Sequence, residues 1–173
     1  MNKNKFTSKY NKGKGFTLME LMIAVAILGI LTSIAYPSYL KQVQKSKRTP
    51  AKVELMRIAQ LQESFYVQNL SYAKTLNLAS AAGGLGFAAS TVTTEGGDYT
   101  VSLSATKADG TACTGTSASP CVAYTVDAVP VSSKPQSHDS SCTGFRLVNT
   151  GAKFAKSTAH TAYGTASVRD ACW

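Results

Sequence analysis

One carboxylate, Glu20, stands alone in an otherwise uncharged run from Phe16 to Tyr36. By translocon scales, a carboxylate near the centre of an apolar span costs about 3 kcal/mol. A place near the end of the run lessens that cost without abolishing it. Such a residue is a functional candidate by default. The plainer reading is a side chain that snorkels to an interface. The second reactive set is four cysteines, Cys113, Cys121, Cys142 and Cys172, all in the C-terminal part. An even number confined to one region suggests disulfides made in an oxidising compartment. Their spacing matches neither a zinc ribbon nor a redox Cys-x-x-Cys pair. Four cysteines allow about three pairings, and sequence alone leaves them open.

Little else is suited to chemistry. His138 and His160 are the two histidines. Ser137-His138-Asp139 are adjacent in sequence, so their side chains point different ways in extended chain and do not make a triad. No histidine pair has zinc-protease spacing. The acids beyond residue 70 are sparse (Glu95, Asp98, Asp109, Asp127, Asp139 and Asp170), with no calcium-loop pattern. Gly83-Gly84-Leu85-Gly86 lacks the spacing and the following Lys-Ser/Thr of a phosphate-binding loop. Asn69-Leu70-Ser71 fits a glycosylation sequon, a pattern that recurs by chance. The expectation is a protein without catalysis, metal or cofactor, whose histidines are exposed loop residues.

The elements that position these residues start with the apolar run. A helix from Phe16 to Tyr36 spans about 30 Å, the thickness of a bilayer's hydrocarbon core. The run fits a signal peptide cleaved after Ala35, a permanent anchor, or a leader cut before the run. The 173 residues suit one domain with a modest core. The net charge of +9 points toward nucleic acid or an acidic membrane, but its distribution weakens that inference. Five of the 18 basic side chains (Lys3, Lys5, Lys9, Lys12 and Lys14) precede residue 16, and the other 13 face 9 acids. Most of the remaining excess lies in Lys41, Lys45, Lys47, Arg48 and Lys52. That cluster reads first as a solvated helix face near lipid headgroups or a contact between subunits, and less well as a DNA site. Lysines on both sides of the apolar run leave its orientation open.

Gly15-Phe16-Thr17-Leu18-Met19-Glu20-Leu21-Met22-Ile23, behind a basic leader, resembles the prepilin signature of type IV pilins. The resemblance implies a leader, residues 1–15, cut between Gly15 and Phe16 by a dedicated prepilin peptidase that methylates the new N-terminal Phe16. It implies that Glu20 pairs with the N-terminal ammonium of a neighbouring subunit. Gly29 and Pro37 sit where type IVa pilins loosen the helix, and both residue types weaken a helical hydrogen-bond ladder. Cys172-Trp173, with Cys142-Thr143-Gly144-Phe145-Arg146-Leu147, is similar to the PilE-like minor pilins. That similarity implies a Cys142–Cys172 bridge, with Cys113–Cys121 as an additional one. Secretion pseudopilins share the N-terminal signature.

The expected fold is α+β: one long N-terminal helix packed on a small antiparallel sheet with a disulfide-stapled C-terminal region. The membrane or filament-core part covers 16–36, and an amphipathic half covers 37–68. In the latter, Leu55, Ile58, Gln62 and Phe65 share one face. Thr49-Pro50 suggests an N-cap and first-turn proline restarting the helix after a kink. A head follows over 69–173, beginning with a Gly- and Ser-rich loop and a short helix near 79–82. Alternation predicts strands at Tyr99–Leu103, Val122–Val126 and Gly144–Val148, with a short fourth around Ala152–Ala155.

The resemblance implies a structural pilus subunit for twitching motility, adhesion or DNA uptake. Its partners would be other pilin subunits, the assembly machinery and inner-membrane lipid, with the head in the periplasm before assembly and outside the cell afterwards. The alternatives are a pseudopilin, a soluble protein released by signal peptidase, and a DNA-binding pilin. For DNA binding, Lys107, Lys134, Arg146, Lys153, Lys156 and Arg169 are the candidate contacts, provided folding gathers them on one face.

Overall fold

A computed structural model describes residues 15–173; the basic leader positions before Gly15 lie outside the described residues. The chain divides after Leu40 into two compact units. Helix α1, Leu18–Asn69, runs through that division. In the first unit every described residue is exposed, apolar ones included. Among the described residues, α1 is the one helix long and apolar enough to cross a membrane. Thr17 opens it: the backbone N–H of Glu20 donates to the Thr17 hydroxyl at 3.2 Å, half of a capping box. Glu20 thus sits in the first turn, where the helix dipole favours an anion.

The expected restart at Thr49-Pro50 is not what the structure shows, because α1 is helical through Gly29, Pro37 and Pro50. Each proline lacks an N–H, so the carbonyls of Ser33 and Ser46 lose their helical donors. The lost bonds are tolerated within the helix instead of ending it.

In the second unit α1 buries Arg48, Ala51, Leu55, Ile58, Gln62 and Phe65, spaced by alternating threes and fours. Of these, Ala51, Leu55 and Ile58 pack against a five-stranded sheet with order β1-β2-β3-β4-β5, every neighbouring pair antiparallel. The strands are β1 Thr91–Thr93, β2 Tyr99–Thr106, β3 Ala123–Pro130, β4 Gly144–Val148 and β5 Lys153–Lys156. Strand alternation sends Tyr99, Val101, Tyr124, Val126, Ala128, Phe145, Leu147 and Ala155 inward. Fully burying one side chain of Leu or Phe size contributes about 1.5–3 kcal/mol, so this one interface accounts for much of the head's cohesion.

Gln62 anchors the chain leaving α1. Its amide donates to the Ala73 carbonyl at 2.9 Å and accepts the Ala73 N–H at 2.8 Å. The following loop rests on the segment closed by Cys113–Cys121, where the Ser71 hydroxyl accepts the Cys121 N–H at 2.8 Å. Gly83 and Gly115 meet there with backbone φ of 79° and 77°, and a Cβ on either would strike the other loop's backbone. At the other end α2, Ala166–Cys172, is tied by Cys142–Cys172. The Trp173 indole N–H donates to the Phe154 carbonyl at 2.9 Å, and its ring meets Phe145 edge-on.

Candidate functional site

The scissile position expected between Gly15 and Phe16 lies in non-helical, exposed chain just before α1. Local sequence explains this: Thr17 caps the helix, so Phe16 precedes the cap. Gly29 and Pro37 lie in exposed helix. Beside them the Thr32 hydroxyl donates to the Leu28 and Gly29 carbonyls at 2.9 and 3.0 Å. Such back-bonding competes with the ladder at the stretch where glycine already weakens it.

The basic run Lys41–Lys52 is not a uniformly solvated face. Arg48 is 8% exposed and makes a bidentate pair with Asp139 at 2.7 and 2.9 Å. Lys47 reaches Asp98 at 3.0 Å. In the sequence this run reads as a solvated face or a subunit contact, because the partners of Arg48 and Lys47 are distant along the chain and become neighbours only when α1 lies on the sheet. Asp139, passed over beside His138, is the buried member; His138 and His160 are exposed.

The six head cations do not form one cluster. Arg146 and Lys156 come together on the sheet face opposite the core. Register explains it: Arg146 pairs with Phe154, Gly144 with Lys156 and Asp127 with Arg146, and directly opposed residues share a face. Arg146 is held by Asp127 through two bonds of 2.7 and 2.8 Å and stacks 4.1 Å over the Tyr163 ring. The Lys156 ammonium lies 5.3 Å from the same ring. Gly144 leaves the space, since a Cβ there would press on Lys156 at 2.7 Å and on the Tyr163 hydroxyl at 3.1 Å. Hydrogen bonding to Asp127 raises the Arg146 pKa, and burial pushes the Tyr163 phenol up to about 12. Both groups keep their ordinary charge near neutrality.

The remaining four are scattered. Lys153 stands 5.1 Å from the Trp173 ring. Arg169 pairs with the neighbouring Asp170 at 2.8 Å in solvent. Lys107 lies between β2 and β3, where its N–H donates to the Thr111 carbonyl. Lys134 precedes the short 3-10 turn Pro135–His138. Tyr163 and Asp127, which organise the Arg146–Lys156 pair, have no sequence signal: Tyr163 sits in a turn far along the chain from Arg146. Among the described residues, no group of three or more His, Cys, Asp or Glu side chains is placed to hold a metal.

Comparison with known proteins adds to this geometry. The profile of the family described as "Type IV minor pilin ComP, DNA uptake sequence receptor" matches residues 37–146, and that of the "Prokaryotic N-terminal methylation motif" matches 10–36. The chain is 42% identical over 71 residues to the type IV major pilin protein PilA of Myxococcus xanthus, covering 40% of this chain and 32% of the relative. It is 34% identical over 114 residues to a fimbrial protein of Pseudomonas aeruginosa, covering 59% and 74%. It is also 36% identical over 61 residues to the type II secretion system core protein G of P. aeruginosa, covering 35% and 43%. The chain spans about a third of the length of the first curated relatives it matches.

Proposed function

The chain belongs to the family of type IV minor pilins described by the DNA uptake sequence receptor ComP, and from that premise we propose that it is a pilus subunit whose head binds double-stranded DNA. Prepilin peptidase cuts between Gly15 and Phe16 and methylates Phe16. The apolar part of α1 holds the subunit in the inner membrane with the head in the periplasm, until the assembly machinery moves it into a filament with other pilins. There the helix exchanges lipid for copies of similar helices, and Glu20 pairs with the N-terminal ammonium of a neighbour. Gly29 and Pro37 give the helix a stretch that can loosen during the exchange. The disulfides suit a head that works outside the cytoplasm.

One observation carries the DNA reading: the family match runs over residues 37–146, ending at Arg146, and Lys156 and Tyr163, just past its end, stand with Arg146 on one outward face. Lys156 supplies a cation to a phosphate, while Arg146 is fixed by Asp127 as a rigid planar neighbour. Lys107, Lys134, Lys153 and Arg169 add a diffuse positive field that speeds encounter.

The test is duplex binding by the full chain in neutral detergent across a salt series. Binding weakens with salt, and Lys156→Gln lowers the slope of log K against log salt by about 1 while reducing affinity for all sequences alike. An unchanged slope and affinity in Lys156→Gln would remove this face from the DNA contact.

A further inference from the structure

The outward face of the sheet carries one arginine whose charge is already answered. Arg146 on β4 directly opposes Asp127 on β3, and its Nε and Nη2 donate to that carboxylate at 2.7 and 2.8 Å. Asp127 is the sole acid in the five strands. The pair therefore neutralises itself, and among the described residues Lys156 is left as the cation of that face without a carboxylate partner. A compensated arginine adds little to the general attraction for phosphates. Its remaining asset is direction. Nε and Nη2 make up one side edge of the planar guanidinium. The end edge, formed by Nη1 and the outer N–H of Nη2, has no hydrogen-bond partner among the described residues. The side chain keeps 36% of its surface exposed. The Tyr163 ring, 4.1 Å away, fixes the guanidinium plane from its face.

An arginine held in this way suits the reading of a base edge better than general backbone binding. Its rotamer freedom is already given up in the free protein, so a directional contact orders little more. In the major groove guanine presents O6 and N7 side by side, the acceptor pair that matches an arginine's bidentate fork. Sheet proteins reach such edges with strands laid in the groove. Strands β4 and β5 are the last two at one edge of the sheet. A pair of strands about 4.8 Å apart fits a groove about 12 Å wide. Lys156 lies diagonal to Arg146 on β5, placed for a phosphate beside that groove.

We propose that Arg146 reads sequence for the head: its end edge donates to O6 and N7 of a guanine in the major groove of duplex DNA, while Asp127 and Tyr163 hold the guanidinium plane. The inference rests on the DNA reading above and divides the work of that face. Lys156 supplies affinity for any sequence, and Arg146 supplies preference for one. Asp127 and Tyr163 are positioning residues, acting through Arg146.

Full-length protein in neutral detergent selects from a random-sequence duplex pool, and the bound duplexes are sequenced. At least one position is fixed as guanine. Replacing that pair by adenine–thymine weakens binding by about 5- to 150-fold, the worth of a bidentate base contact. The analogue 7-deazaguanine, which lacks the N7 acceptor, weakens binding at that position in the unaltered protein, so the test does not depend on any variant folding. Arg146→Gln loses the guanine preference. Asp127→Asn also loses it, yet binds all duplexes more tightly, with a slope of log K against log salt steeper by about 1, because the freed charge turns to phosphates. A merely structural Asp127 would instead weaken binding throughout and leave the preference intact. Lys156→Gln selects the same guanine at lower affinity. A wild-type selection with no fixed guanine, tolerance of 7-deazaguanine at every selected guanine, or the same preference in Arg146→Gln would each overturn the proposal. If wild type selects no guanine while Lys156→Gln still lowers the salt slope, only the base reading falls. If no duplex binds wild type anywhere in the salt series, the DNA reading falls with it.

Discussion

Asp139→Ala is expected to destabilise the head by about 3–5 kcal/mol, the usual loss when one partner of a buried ion pair is removed. Asp139 is 1% exposed and accepts five hydrogen bonds. Two come from Arg48, at 2.7 and 2.9 Å, and one from the Gln136 amide at 3.1 Å. The backbone N–H groups of Ser141 and Cys142 supply the others, at 3.2 and 3.3 Å. The Gln136 amide also donates to the Tyr99 hydroxyl at 2.9 Å and to the Gln44 carbonyl at 3.2 Å, so the network joins α1, β2 and the approach to Cys142. Burial pushes the Tyr99 phenol up to about 12, which keeps it neutral. Without Asp139 the Arg48 guanidinium stays buried with no counter-charge. Replacing both partners with apolar side chains, Arg48→Met with Asp139→Leu, is expected to cost much less than Asp139→Ala alone, because no charge is then stranded. Denaturant unfolding of wild type, Asp139→Ala and the double variant measures both losses. A loss under 1 kcal/mol for Asp139→Ala would show that water reaches Arg48 and that the pair does not clasp the helix to the sheet.

Cys172→Ser is expected to lower head stability by about 3–4 kcal/mol under oxidising conditions, from the loop entropy released by opening Cys142–Cys172, whose ends are 30 residues apart. The same argument gives Cys113→Ser a smaller loss, about 2–3 kcal/mol, because Cys113–Cys121 spans only 8. The larger effect has a local cause as well. The seven-residue helix α2 buries only Val168 and Cys172, and otherwise holds on through Trp173. Loss of the bridge therefore frees α2 from the sheet's edge at β5. Melting of oxidised wild-type and variant proteins measures both losses. A Cys172→Ser chain within 1 kcal/mol of wild type would mean that α2 docks without its disulfide.

The parts of this fold that are legible in the sequence are those with a strong local period. Leu55, Ile58, Gln62 and Phe65 mark the buried stripe of α1, and alternation marks β2, β3, β4 and the short β5. Strand β3 continues to Pro130, past its sequence-derived end at Val126, because β2 pairs with it over its full length. Strand β1 has only three residues among serines and threonines and exists by pairing with β2. Helix α2 has too little apolar periodicity to announce itself and is set by a covalent bond. Pro50 looked like a helix start because local rules favour it there; packing of Ala51, Leu55 and Ile58 on the sheet outweighs the loss of one backbone bond.

The chemistry divides in the same way. Gly15, Phe16 and Glu20 fall close together in one short signature, and the methylation-motif profile covers 10–36. Contacts between distant residues leave no such trace. Nothing near Arg48 in sequence points to Asp139, and nothing near Arg146 points to Asp127 or Tyr163. Six head cations can be named from the sequence, but which of them share a face is decided by strand register. The DNA reading stood second to a purely structural role in the sequence, since the basic residues alone were dispersed. The family profile over residues 37–146 brings it forward.

The most direct test of the account is mass spectrometry of the mature protein recovered from cells, read for its N-terminal residue and its cysteine state. The account predicts a chain beginning at N-methylated Phe16, with Cys113 joined to Cys121 and Cys142 to Cys172. A chain that keeps the residues before Phe16, or one that begins at Tyr36 after loss of the apolar helix, would contradict it.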